Sequence, residues 1–76
     1  MKVINTYYTE AESRRVKITN RTDSTNTQLY SSVLTITEEV DDEYTRYAVL
    51  HHDSGETSTF PIDEWKIQVE TFHEIW

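Results

Sequence analysis

Five carboxylates occupy six consecutive positions: Glu38, Glu39, Asp41, Asp42 and Glu43, with Val40 among them and Tyr44 directly after. Paired carboxylates can act as acid and base, but only where burial separates their pKa values. Carboxylates in a turn stay hydrated and ionised. Calcium is the next possibility. The run lacks the spaced D-x-D-x-D-G pattern and the distal Glu of an EF-hand loop. The default for a charge run is a solvated face.

The histidines offer less. His51 and His52 are neighbours in an extended stretch, so their side chains point to opposite faces and cannot hold one ion together. His51 and Asp53 share a face, yet two ligands do not close a metal site. The single glycine falls in a hairpin, which leaves no phosphate loop. No metal and no cofactor are expected, and no catalytic residue is assigned. Tyr7, Tyr8, Tyr30, Tyr44 and Tyr47 could stack bases, but single-strand binders also need a positive groove. The basic cluster Arg14, Arg15, Lys17 and Arg21 is instead expected to pair with the chain's own carboxylates.

Charge is unevenly divided. Residues 1–37 carry a balance of +2 and residues 38–76 a balance of −9, for a net charge of −7. Direct nucleic-acid binding needs clustered Lys and Arg and is not expected. A basic protein surface is the better partner.

The elements that must position these groups are strands. Val, Ile, Thr and aromatic residues dominate, and these suit a half-buried pleat. Trp65, Ile67 and Val69 alternate with Lys66, Gln68 and Glu70, the period-two signature of a strand. Val16 and Ile18 alternate with Arg15 and Lys17. Tyr30, Leu34 and Ile36 share one face, although Val33 breaks the alternation. Residues 44–52 are apolar on both parities, as in a central strand. Asp53-Ser54-Gly55 reads as a hairpin turn, Asp41-Asp42 as an Asx-type turn, and residues 20–28 as a polar loop. Thr9 with Glu12 matches a capping box for one helical turn. Phe72, Ile75 and Trp76 are spaced for one face of a short helical turn. The core is expected to hold Val16, Ile18, Leu34, Ile36, Val49, Trp65, Ile67 and Val69.

Phe60-Pro61, a short 3₁₀-like turn and then Trp65 opening the last long strand resemble the end of SH3-like barrels. That resemblance implies an architecture and carries no binding residues. The sequence therefore predicts one all-β domain over residues 1–76: a small antiparallel barrel or strongly curved sheet of five to six short strands. With 76 residues and no cysteine, the core must come from apolar side chains alone. No apolar run reaches the ~18 residues of a membrane helix. The N-terminal stretch lacks a signal-peptide core. A cytoplasmic chain without a membrane partner is expected.

In a simple meander, the connections at 9–13, 39–43 and 61–64 fall at one end. That end would gather Glu10, Glu12, Glu38, Glu39, Asp41, Asp42, Glu43, Asp63 and Glu64. Such repulsion makes sense if the field is used. The expected function is thus a non-enzymatic acidic binding protein that inhibits or regulates a basic, nucleic-acid-binding protein. It would act as a nucleic-acid mimic, by analogy with small viral accessory proteins. The partner-binding residues would be Glu38, Glu39, Asp41, Asp42, Glu43, Tyr44, Asp63, Glu64, Phe72 and Trp76. The alternative is a structural or assembly module that forms a homo-oligomer through its C-terminal aromatics.

Overall fold

The computed structural model describes residues 1–8, 12–70 and 73–76. They form seven antiparallel strands in one sheet: β1 (Lys2–Tyr7), β2 (Arg14–Asn20), β3 (Thr27–Val40), β4 (Arg46–His52), β5 (Thr57–Pro61), β6 (Trp65–Val69) and β7 (His73–Glu74). No described helix is long and apolar enough to cross a membrane. The strand order is β5-β4-β3-β2-β6-β7, with β1 paired to β3 off this path. The expected barrel is not closed, because β5 and β7 end the path unpaired to each other. Two further backbone bonds only lengthen existing pairs: Arg21 N–H donates to the Glu64 carbonyl at the end of β2–β6, and Ile62 N–H to the Arg46 carbonyl at the end of β4–β5.

β3 organises the sheet. It is 14 residues long, so the strands are not all short. Its first half pairs with β2 and its second half with β1, both along one edge; β4 takes the other edge from Val33 onward. β1 and β2 therefore run in line, not side by side. This corrects the expected meander. β1 ends opposite Ile36 and β2 begins opposite Val33, so Glu12, two residues before β2, belongs to the middle of β3 and not to the acidic end. Thr9 and Glu10 lie outside the described residues, and so does the expected capping box.

Two irregularities explain why Val33 breaks the alternation. The register slips between the Arg14–Val33 and Val16–Tyr30 pairs, and again between Val33 and Thr35 opposite β4. Each extra residue resets the side-chain parity. Tyr30, Val33 and Ile36 consequently all face the core. Leu34 is the extra residue of the second bulge and is only half-buried. Trp65 is also half-buried and packs edge-on against Phe60 at 5.5 Å. The other six predicted core residues are buried, joined by Val33, Ala48, Leu50, Phe60 and Ile62. Each large aliphatic side chain so buried contributes roughly 1.5–3 kcal/mol.

The C-terminus is extended, not helical. β7 pairs with β6, the N–H groups of Ile75 and Trp76 reach the Ile67 carbonyl, and Ile67 N–H donates to the Trp76 carbonyl.

Gly55 closes the β4–β5 hairpin at φ +93°, donating to the His52 carbonyl at 3.0 Å. No atom lies near the position of an added Cβ, so the obstacle to a side chain is the backbone conformation itself. Gly55→Val should destabilise the fold by about 1–3 kcal/mol. Ser54→Ala should stay within about 0.5 kcal/mol. Urea unfolding of the two variants checks this, and equal effects would contradict the strain.

Candidate functional site

The β3–β4 hairpin is held by its own first carboxylate. Asp41 N–H donates to the Thr45 carbonyl, and Tyr44 N–H to the Asp41 carbonyl, both at 3.1 Å. Asp41 Oδ1 accepts the N–H groups of Glu43 and Thr45 at 2.9 and 3.0 Å. Its Oδ2 accepts the Tyr47 hydroxyl at 3.1 Å. The Thr45 N–H chiefly holds the Asp41 carboxyl below the usual carboxylate range, against partial desolvation. The Glu43 N–H, the Tyr47 hydroxyl and the N-terminal ammonium add to it. Asp41 is thus committed to the turn rather than offered to a partner.

Glu38 is also withdrawn. It faces the core at 3% exposure, where its carboxylate accepts Asn5 Nδ2 at 2.9 Å and Arg46 Nη1 at 3.0 Å. A buried carboxylate survives only when paired in this way. Its place in the expected contact surface is therefore corrected: Glu38 ties β1 to β3 and β4. Glu39 is half-buried and accepts the Thr37 hydroxyl at 2.7 Å.

What remains outward is Asp42, Glu43, Tyr44, Asp63 and Glu64, all exposed. The 61–64 connection starts beside the hairpin: Pro61 pairs with Tyr47, and Ile62 N–H donates to the Arg46 carbonyl at 3.1 Å. The Tyr47 hydroxyl feels both segments. Its pKa is raised above 10.0, first by the hydrogen bond to Asp41, then by desolvation and by the charges of Asp41, Glu43 and Glu64. The connection then leads away to Trp65, opposite Asn20, stapled by Arg21 Nε on the Ile62 carbonyl at 3.0 Å. The acidic end therefore draws on two connections, not three.

These shifts give opposite pH limbs. Neutral Tyr47 stabilises the hairpin fully below pH 10.0, and this is lost as pH rises through its raised folded value. Ionised Asp41 stabilises it above pH 3.8, and this is lost as pH falls through its lowered folded value. Tyr47→Phe should flatten the alkaline limb of a melting-temperature profile and only partly reduce the acid limb, because the Thr45 and Glu43 N–H groups still hold the Asp41 carboxylate. An unchanged alkaline limb would contradict the hydrogen bond.

No protein-family model, no curated protein and no solved structure matches the chain. What the site can do is accordingly read from its own geometry.

Two side-chain arrays could be taken for catalytic groups. His51 Nε2 lies 2.9 Å from Thr37 Oγ1, which already gives its proton to Glu39. The imidazole must then donate to that oxygen, which is the wrong tautomer for a general base. His52 Nε2 lies 2.8 Å from Ser58 Oγ, with the Tyr30 ring 5.1 Å away. Among the described residues no carboxylate hydrogen-bonds His52, so the pair lacks the third group that orients a base. No three described His, Asp or Glu side chains gather as metal ligands.

The expected pairing of the basic cluster with carboxylates is seen at Arg15, whereas Arg21 Nε donates to the Ile62 carbonyl and Arg14 lies over a tyrosine ring. Arg15 pairs with Glu70 at 3.4 Å, and the Arg14 guanidinium sits 4.5 Å from the Tyr8 ring centroid. Trp76 is half-buried, packs against the core and meets Tyr7 edge-on at 5.1 Å. It covers the core instead of standing free for a partner. Phe72 lies outside the described residues.

One feature of the hairpin has no signal in composition or spacing. Tyr44 adopts φ +64° and is 86% exposed. The left-handed region costs a bulky residue roughly 1–2 kcal/mol, and a glycine or asparagine would serve the turn better.

Proposed function

We propose that the chain is a non-enzymatic binding protein whose acidic end docks on the basic surface of a nucleic-acid-binding protein and regulates or inhibits it. The observation that carries this reading is Tyr44. A large aromatic side chain stands in the solvent, on a backbone that disfavours it, directly after the exposed Asp42 and Glu43 in the turn. Tyrosine anchors and surrounding charges are the two halves of an interface: the first supplies affinity, the second steers encounter. The same reading places the chain in the cytoplasm with its partner. It also favours an SH3-like path, supported by Phe60 and Pro61 ending β5, a short turn, and Trp65 opening β6. The packing of Trp76 on Tyr7 and the core speaks against self-association through the C-terminal aromatics.

A displacement experiment tests the proposal. Basic DNA- and RNA-binding domains are loaded with labelled duplex or single strand, and the chain is titrated in. It should release the label from at least one domain at about 50 mM salt and do so less well at 200 mM. Failure to displace across the panel at low salt would overturn it.

A further inference from the structure

β1 is the least covered long strand of the sheet. Lys2 through Thr6 are all exposed, with Val3 and Ile4 at 51% and 43%. Among the described residues β3 is its single neighbour. No other described strand takes its second edge, whose backbone donors and acceptors could pair with a further strand. Sheet edges are commonly protected by charge, proline or bulges. Here two such devices are present, Lys2 at the first position and a bulge at Ile4, but neither charge nor proline stands between Val3 and Tyr7.

We infer that β1 pairs antiparallel with β1 of a second copy about a two-fold axis, continuing the sheet across two molecules. The layout of charge selects both the occupant and the direction. β1 begins at the acidic end, where Lys2 lies opposite Val40, one residue before Asp41. It ends at Tyr7, beside Tyr8, whose ring carries the Arg14 guanidinium. Antiparallel pairing sets the start of one strand beside the end of the other. The acidic hairpin of each copy then faces Arg14 of its partner, and symmetry makes the contact twice. A parallel arrangement would bring the two acidic hairpins together and is opposed by their charge. Val3 and Ile4 leave solvent in the same step. An interface of one strand edge is small, which places the dimer among the weak, concentration-dependent ones. This inference stands on β1 and not on the basic partner, so a monomer in solution would leave that proposal intact.

Sedimentation equilibrium of the full chain, from about 10 µM to 1 mM, tests it. A monomer–dimer equilibrium is expected. Ile4→Lys should weaken it at least about tenfold, since lysine on an edge strand blocks pairing. Ile4 is outside the β1–β3 register, so near-UV circular dichroism should be unchanged. Arg14→Glu should weaken the dimer, and adding Asp42→Lys with Glu43→Lys in the same chain should restore it, because the charges meet between copies. Three results would each overturn the inference: a monomer at every concentration, a dimer indifferent to Ile4→Lys, or no recovery in the charge-exchanged chain.

Discussion

Ile67→Ala is expected to cost about 2–5 kcal/mol of folding stability, the range for large-to-small changes in a closed core. Ile67 is fully buried and lies opposite Ile18, which is fully buried too. Its backbone also receives the C-terminus through Ile75 and Trp76. Relaxation into the vacated space would have to disturb both β2 and the terminal strand. Small domains have total stabilities near the lower end of ~5–15 kcal/mol, so the variant should be largely unfolded or close to it. Leu34→Ala is the control. Leu34 is equally aliphatic but sits half-exposed on a bulge, so its loss should cost clearly less. Urea unfolding of both variants measures the difference. A cost for Ile67→Ala below about 0.5 kcal/mol, the scale of ordinary surface changes, would contradict the facing of β6.

Tyr44→Gly should separate folding from binding. Glycine adopts positive φ without the steric cost that tyrosine bears, so the hairpin should keep its stability or gain up to about 1 kcal/mol. The backbone bonds from Asp41 to Thr45 and Tyr44 need no tyrosine side chain. Binding to a basic partner should meanwhile fall by about 2 kcal/mol or more, roughly thirtyfold, as for an aromatic hot spot. Thermal melting and titration calorimetry on one preparation read both. A variant that melts lower and binds as before would reduce Tyr44 to a structural residue.

Much of the sheet was legible in the sequence because alternation survives wherever a strand pairs regularly. Val16 and Ile18 in β2 and Ile67 and Val69 in β6 are of this kind, and so is the Gly55 hairpin. Alternation fails where an extra residue resets parity, so the pattern points Leu34 inward where the fold buries Val33. The path of β1 was illegible for a different reason. Short connections suggest neighbouring strands, but here β1 and β2 share one edge of a β3 long enough to hold both. That placement removed Glu12 from the acidic end. The roles of individual carboxylates were hidden as well. Glu38 and Glu39 are adjacent and chemically alike, yet strand parity buries one against Asn5 and Arg46 and turns the other to the outer face. Asp41 and Asp42 divide similarly, one bonding the turn and one facing water. Only distances between segments reveal that Glu64 acts on Tyr47 from seventeen positions away.

The role of the acidic end is tested most directly by salt dependence. The chain and a variant carrying Asp42→Asn, Glu43→Gln, Asp63→Asn and Glu64→Gln should be titrated against one basic nucleic-acid-binding domain at increasing ionic strength. Asp41 and Glu38 are kept, since they hold the hairpin and β1 in place. Exposed charges are screened within about 8–10 Å at physiological salt, so affinity of the unaltered chain should fall steeply as salt rises. The variant should melt at the same temperature or higher, bind more weakly at low salt and show a flatter slope. Equal affinities and equal slopes for the two chains would contradict a docking role for the acidic end and leave "EEVDDEY" a hydrated turn.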